Sequence, residues 1–174
     1  GLNNLRQLIQ RAEQGASCIV CLNHRSNLDV PTLSVLLNDA GQGKLFEKII
    51  WVAGRKLHED AGMAGVLVQA YHRVIVTPRT WLQGDHTAEE IHESELINVA
   101  ALRAIHDLRH QGWVFAVFPT GTRMRPGDPS TNRAIPEIDS YLKSFDCMLL
   151  GHIAGCTLPV TRDLEMDHES PKLD

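Results

Sequence analysis

Four short runs of the chain are apolar without interruption: SCIVCL at 17–22, KIIWVA at 48–53, RVIVT at 73–77 and WVFAVF at 113–118. They are built largely from Val, Ile, Cys and aromatic residues, and none alternates polar with apolar. That pattern predicts strands covered on both faces, as in a parallel or mixed sheet under helices. A fifth candidate is CTLPV at 156–160, where Pro159 fits an edge or a strand end. Between these runs the spacing becomes helical. NNLRQLIQRAEQ (3–14) gathers Leu5, Leu8 and Ile9 on one face. DVPTLSVLLNDA (29–40) is preceded by the cap-type residues Ser26 and Asn27, carries Pro31 in its first turn and stops before Gly41. The longest, 88–111, repeats apolar residues at Ile91, Leu96, Val99, Leu102, Ile105 and Leu108. Strand and helix alternate, so the expected class is α/β: a central mixed, mostly parallel sheet covered by helices on both faces.

Length and composition narrow this picture. With 174 residues, 43% apolar and 22% charged, the chain is globular. One domain over 1–174 is expected, since domain sizes peak at roughly 100–150 residues. The start at Gly1 without Met and the charged end DLEMDHESPKLD suggest truncation at one or both ends. Lys and Arg number 17 against 21 Asp and Glu, a net charge of −4. Nucleic acid is therefore not an expected partner, because general binding to it needs a cationic excess that displaces counterions. Cys18, Cys21, Cys147 and Cys156 are too sparse for a disulfide scaffold, and CIVC has no second CxxC to complete a zinc site. They read as reduced packing residues. No signal peptide is evident and no apolar run approaches the ~18–20 residues of a spanning helix, so the expected compartment is cytoplasmic.

Candidate chemistry concentrates where predicted strands end. Cys21-Leu-Asn-His24-Arg-Ser-Asn-Leu-Asp29-Val-Pro31 crosses from a strand into a helix, the place where α/β sheets usually bind ligands. If the chain turns there, Asp29 can accept an N–H of His24, fix its tautomer and leave the other ring nitrogen as a base. The spacing equally allows a helix-start acid favoured by the helix dipole beside a surface histidine. A second stretch, Phe118-Pro-Thr120-Gly121-Thr122-Arg123-Met-Arg125-Pro-Gly-Asp128-Pro, follows another strand. Gly121 permits a tight turn, Thr120 and Thr122 add hydroxyls, and Arg123 and Arg125 can converge on an anion through forked hydrogen bonds. Alternatively it is a polar loop. Arg79, past the strand at 73–77, and Arg55-Lys56, past the strand at 48–53, repeat the pattern of cations at strand ends.

Taken together, NHRSNLD (23–29), GRKLHEDAGMAGVLVQAYHRVIV (54–76), FPTGTRMRP (118–126) and TLPVT (157–161) resemble the four blocks of the glycerolipid acyltransferase family, over residues 17–161. The first and third blocks carry the resemblance, and the other two add little. Thr120 stands where that family usually has an acid. The run TGTRMRPGDPST (120–131), with VAG at 52–54 and the long helix, is similar to the soluble glycerol-3-phosphate 1-acyltransferases, which place a small hydroxyl residue there.

The resemblance implies that His24 is general base on the 1-hydroxyl of glycerol 3-phosphate, oriented by Asp29. It implies that Arg79, Arg123 and Arg125 bind the acceptor phosphate while Gly121 and Thr122 shape the loop. The acyl donor would be acyl-CoA or acyl carrier protein. Neither a metal nor another cofactor nor a covalent acyl-enzyme is implied. Membrane-lipid products imply transient contact with the inner face of a membrane, although no strongly basic amphipathic helix is evident.

Three alternatives accompany this reading. A lysophosphatidate acyltransferase would use the same groups on a larger acceptor. A metal-dependent hydrolase would draw on the nine histidines, His106 and His110 being an i, i+4 pair, although no HExxH occurs. A phospholipid-binding module would keep the arginines and dispense with His24. Cys21, three residues before His24, would need an accessible thiolate to act as a nucleophile, and its apolar run argues against that.

Overall fold

A computed structural model describes residues 1–59, 62–82, 84–136 and 138–155, with the backbone alone at Arg79 and Thr80. The chain runs α1 (Leu2–Glu13), β1 (Cys18–Leu22), α2 (Asp29–Asp39), α3 (Gly43–Phe46), β2 (Ile49–Gly54), α4 (Arg55–Glu59), α5 (Met63–Val68), β3 (Arg73–Val76), α6 (Arg79–Leu82), α7 (Ala88–Leu108) and β4 (Val114–Val117). A 3₁₀ turn at Pro129–Asn132, α8 (Ile138–Lys143) and β5 (Cys147–Gly151) follow. The strands form one sheet in the order β3-β2-β4-β1-β5. Every pairing among them is parallel, so the sheet is simpler than the mixed one expected.

Successive side chains of a strand point to opposite faces, and here both faces are covered. Cys18, Val20, Ile49, Trp51, Val114 and Ala116 pack with Leu5, Leu8, Ile9 and Ala12 of α1 and Leu37 of α2. Ile19, Cys21, Ile50, Val74, Phe115 and Val117 pack with Ala101 and Ile105 of α7 and Ile138 of α8. Two buried faces leave no place for a polar alternation, which is why the strand runs read as continuously apolar.

Among the described residues a further strand, Cys147–Gly151, stands where none was expected, and the candidate at 156–160 lies outside the described residues. In α7 only part of the apolar repeat faces the sheet: Ile105 is buried and Leu108 packs beside it, while Leu96, Val99 and Leu102 are 56%, 44% and 58% exposed. The inward stripe is Ser94, Asn98, Ala101 and Ile105. Its small and polar residues fit because the sheet side supplies partners. Ser94 accepts from Arg55 (3.2 Å), and Asn98 exchanges two hydrogen bonds with the backbone of Thr77 (2.8 and 3.1 Å).

An all-parallel sheet gathers every strand's carboxyl end at one edge. At that edge the connection after β1 leads to α2 on one face, and the connection after the neighbouring β4 leads to α8 on the other. Where adjacent strands send their chains to opposite faces a crevice opens, and in open α/β sheets ligands bind there.

Candidate active site

At this point of the sheet edge the loop that leaves β1 at His24 lies against the loop that leaves β4 at Phe118. The turn after Leu22 brings Asp29, the first residue of α2, back beneath the imidazole. His24 Nδ1 lies 2.9 Å from Asp29 Oδ2. The same oxygen accepts the backbone N–H of Arg25 at 2.7 Å and of Ser26 at 3.0 Å. An ionised carboxylate only accepts, so Nδ1 carries the proton in this contact and the neutral ring's lone pair is on Nε2. Asp29 has 4% of its side chain exposed and His24 16%. A carboxylate turned back onto a part-buried ring is the first of the two readings of the His24–Asp29 spacing. Ser26 does not act as an ordinary helix cap: its hydroxyl accepts from Leu28 N–H (3.1 Å) inside the turn, and the residue before the helix is Leu28.

The β4 loop is folded against this one. Met124 N–H donates to the His24 carbonyl at 2.9 Å, so the residue between Arg123 and Arg125 is bonded to the histidine's own backbone. Gly121 adopts φ +64°, the left-handed region that favours glycine, and its N–H closes a turn on the Phe118 carbonyl (2.9 Å). Thr120, at the position of the family's usual acid, donates its hydroxyl to the Thr122 carbonyl (2.6 Å) and so closes the loop on itself. Thr131 accepts the Arg125 N–H at 2.9 Å and donates to the Asp128 carbonyl at 2.7 Å.

The electrostatics of the loop are uneven. Burial, and then the like charge of Arg125, push the Arg123 guanidinium below its ordinary range, while Asp29 pulls it back. Its Nη1 is buried without a hydrogen-bond partner. A guanidinium is charged at any physiological pH, so this is a partly buried cation with one donor unused by the protein.

The other candidates divide. Arg79 begins α6 just past β3, at the same sheet edge, and its side chain lies outside the described residues. Arg55 is at that edge too, but it is taken up by protein: Glu59 (2.6 Å), Glu93 (2.8 Å), Ser94 (3.2 Å) and the face of Trp81 (5.9 Å). His106 is exposed on α7. His110 lies beyond the helix end, with Nδ1 2.9 Å from the Gly15 carbonyl, so the two are not a pair on one helical face. Among the described residues no three His, Cys, Asp or Glu side chains converge as a metal site. Cys21 is buried in the sheet, and burial raises its thiol pKa, which removes the thiolate a nucleophile needs. The fourth block, 157–161, is outside the described residues.

Two contacts had no counterpart in the sequence reading. The Asn23 side-chain amide donates to the Ile153 carbonyl (3.1 Å) and accepts the Ile153 N–H (2.6 Å), pinning the strand-end loop to the chain after β5. The Phe118 ring stacks on His24. The adjacency of Asn23 to His24 is the one hint the sequence holds for either.

Beside Asp29 a pocket of about 220 Å³ is lined by Thr32, Leu33, Leu36, His152 and Ile153. The last four of these also line an apolar groove of about 390 Å³ that runs on to Leu5, Leu22 and Trp51. No described helix is long and apolar enough to cross a membrane.

A family model for acyltransferases matches residues 2–153, a span that contains both loops of the crevice. No curated protein matches the chain. With that family already suggested by the NHRSNLD and FPTGTRMRP blocks and now matched along most of the sequence, the chain belongs to the acyltransferase family.

Proposed function

We propose that this acyltransferase moves a fatty acyl group from an acyl-CoA or acyl-(acyl carrier protein) thioester to the 1-hydroxyl of glycerol 3-phosphate. The observation that carries the proposal is the buried, unpartnered Nη1 of Arg123 on a loop hydrogen-bonded to the backbone of an Asp29-held histidine. His24 Nε2 takes the hydroxyl proton as the oxygen attacks the thioester carbonyl. A C–O bond forms, the C–S bond breaks, and the departing sulfur recovers the proton from the imidazolium. Asp29 stabilises that imidazolium. Arg123, Arg125 and Arg79 hold the phosphate, with Gly121 and Thr122 setting the loop's shape. The groove beyond Asp29 supports an apolar donor tail, and its volume lies in the ordinary range for small-molecule sites, roughly 300–1,000 Å³. Transient contact with the inner face of a membrane, by an otherwise cytoplasmic protein, accords with lipid products.

The test is incubation of the protein with labelled glycerol 3-phosphate and each donor, followed by product identification. A 1-acyl product supports the reading. A product formed only from lysophosphatidate would overturn the acceptor assignment and leave the base in place. Retained turnover in His24→Ala would refute the base.

A further inference from the structure

Asp29 alone does not fix the imidazole. A hydrogen bond through Nδ1 anchors one atom of the ring, and coupled changes in the χ1 and χ2 torsions can still tilt the ring plane and shift Nε2. A second, flat contact removes this freedom. The Phe118 ring lies parallel to the His24 ring, with centroids 3.9 Å apart and planes 12° apart. Trp51 in turn stacks on Phe118 at 5.7 Å and 28°, and Trp51 is itself only 3% exposed. The tilt of the imidazole is therefore referred, through two rings, to the rigid centre of the sheet.

Cys21 pairs with Val117 at the end of the β1–β4 ladder, so the two chains leave the sheet side by side. The β1 loop then turns His24 back over Phe118, and the Met124 N–H to His24 carbonyl bond holds the loops together. We infer that Phe118 is a positioning residue: its face, backed by Trp51, holds the His24 plane so that Nε2 stays aimed at the acceptor hydroxyl. The inference rests on His24 being the base.

A role of this kind predicts a loss in turnover rather than in binding. In Phe118→Leu, which keeps the apolar bulk and removes the flat face, kcat should fall about ten- to a hundredfold, the range for a misdirected reacting group. KM for glycerol 3-phosphate should stay within about twofold. Phe118→Tyr, which restores the face, should recover most of the turnover. NMR of the imidazole C–H signals, assigned by their absence in His24→Ala, supplies a readout that needs no substrate. In the unaltered protein they should carry the upfield ring-current shift of a stacked neighbour, and Phe118→Leu should lose it. Should Phe118→Leu fail to fold by circular dichroism, Phe118→Met takes its place with the same expected results. Unchanged kcat without the aromatic face, or imidazole signals that do not move, would overturn the inference. His24→Ala with full turnover would instead overturn the base assignment, so the two failures are distinguishable.

Discussion

Two arginines stand at the same edge of the sheet and differ in what surrounds them. Arg55, after β2, has hydrogen bonds to Glu59, Glu93 and Ser94, and the carboxylates, Glu59 foremost, raise its pKa above the ordinary guanidinium value. Arg123, after β4, is pushed the other way by burial and by Arg125, and its Nη1 has no partner. One cation is complete within the protein and ties α4 to α7. The other keeps one donor without a protein partner, and the proposed phosphate would complete its contacts. Both stand at strand ends, and the state of the charge tells them apart.

The comparison can be broken in several ways. The largest effect expected is at His24, the proposed base: His24→Ala should lower kcat by about 10²–10⁴-fold, the usual worth of a general base, with glycerol 3-phosphate binding largely kept. Arg123→Ala should raise KM for glycerol 3-phosphate about ten- to a hundredfold, from the loss of charge-assisted hydrogen bonds worth roughly 1.5–3 kcal/mol, while the donor's KM stays within about twofold. Equal rises for both substrates would contradict the clamp. Arg55→Ala should do the reverse, lowering Tm by a few degrees, for about 1 kcal/mol or less of partly exposed ion pairing, and leaving both KM values near those of the unaltered protein. A strong rise in KM for glycerol 3-phosphate there would erase the distinction.

Two smaller effects concern the β1–β5 seam at the amino ends of those strands, the edge opposite the candidate site. Asp146 accepts from the Ser17 amide (2.9 Å) and hydroxyl (2.8 Å), which, the amide foremost, hold its pKa below the usual carboxylate value. A depressed folded-state pKa gives stability that is present above the unfolded value, about 3.9, and lost as pH falls through the lower folded one. The Tm difference between the unaltered protein and Asp146→Asn should therefore shrink in acid, and a gap independent of pH would refute the linkage. Cys18, whose pKa burial raises to about 12, should resist alkylation at pH 8 until the protein unfolds, as read by mass spectrometry of the labelled chain.

The sequence was most legible where burial alone sets the residue type. The first four strands and the three longer helices were read to within a few residues, because their apolar runs and spacings are local. Cys147–Gly151 escaped because Cys-Met-Leu-Leu lacks the β-branched and aromatic residues that mark a strand. The apolar spacing of α7 does not show that Ser94 and Asn98 share its inward face with Ile105, because Arg55 and Thr77, which make them acceptable there, are brought near only by the fold. The same holds in the crevice. The His24–Asp29 contact spans five positions and could be foreseen, as could the tight turn at Gly121. The saturation of Arg55, the orphaned donor of Arg123, the Asn23 clamp and the Phe118 stack all arise between distant segments, and spacing along a chain does not encode them.

The central claim, an Asp29-held imidazole sharing its crevice with an unsatisfied guanidinium, is tested most directly by single-turnover acylation of labelled glycerol 3-phosphate. It is run on the unaltered protein and on His24→Ala, with the Kd for glycerol 3-phosphate measured on the same preparations. The account predicts a 1-acyl product from the first, formation about 10²–10⁴-fold slower from the second, and similar Kd values for both. Equal turnover by the two proteins, or no binding of glycerol 3-phosphate by either, would contradict it.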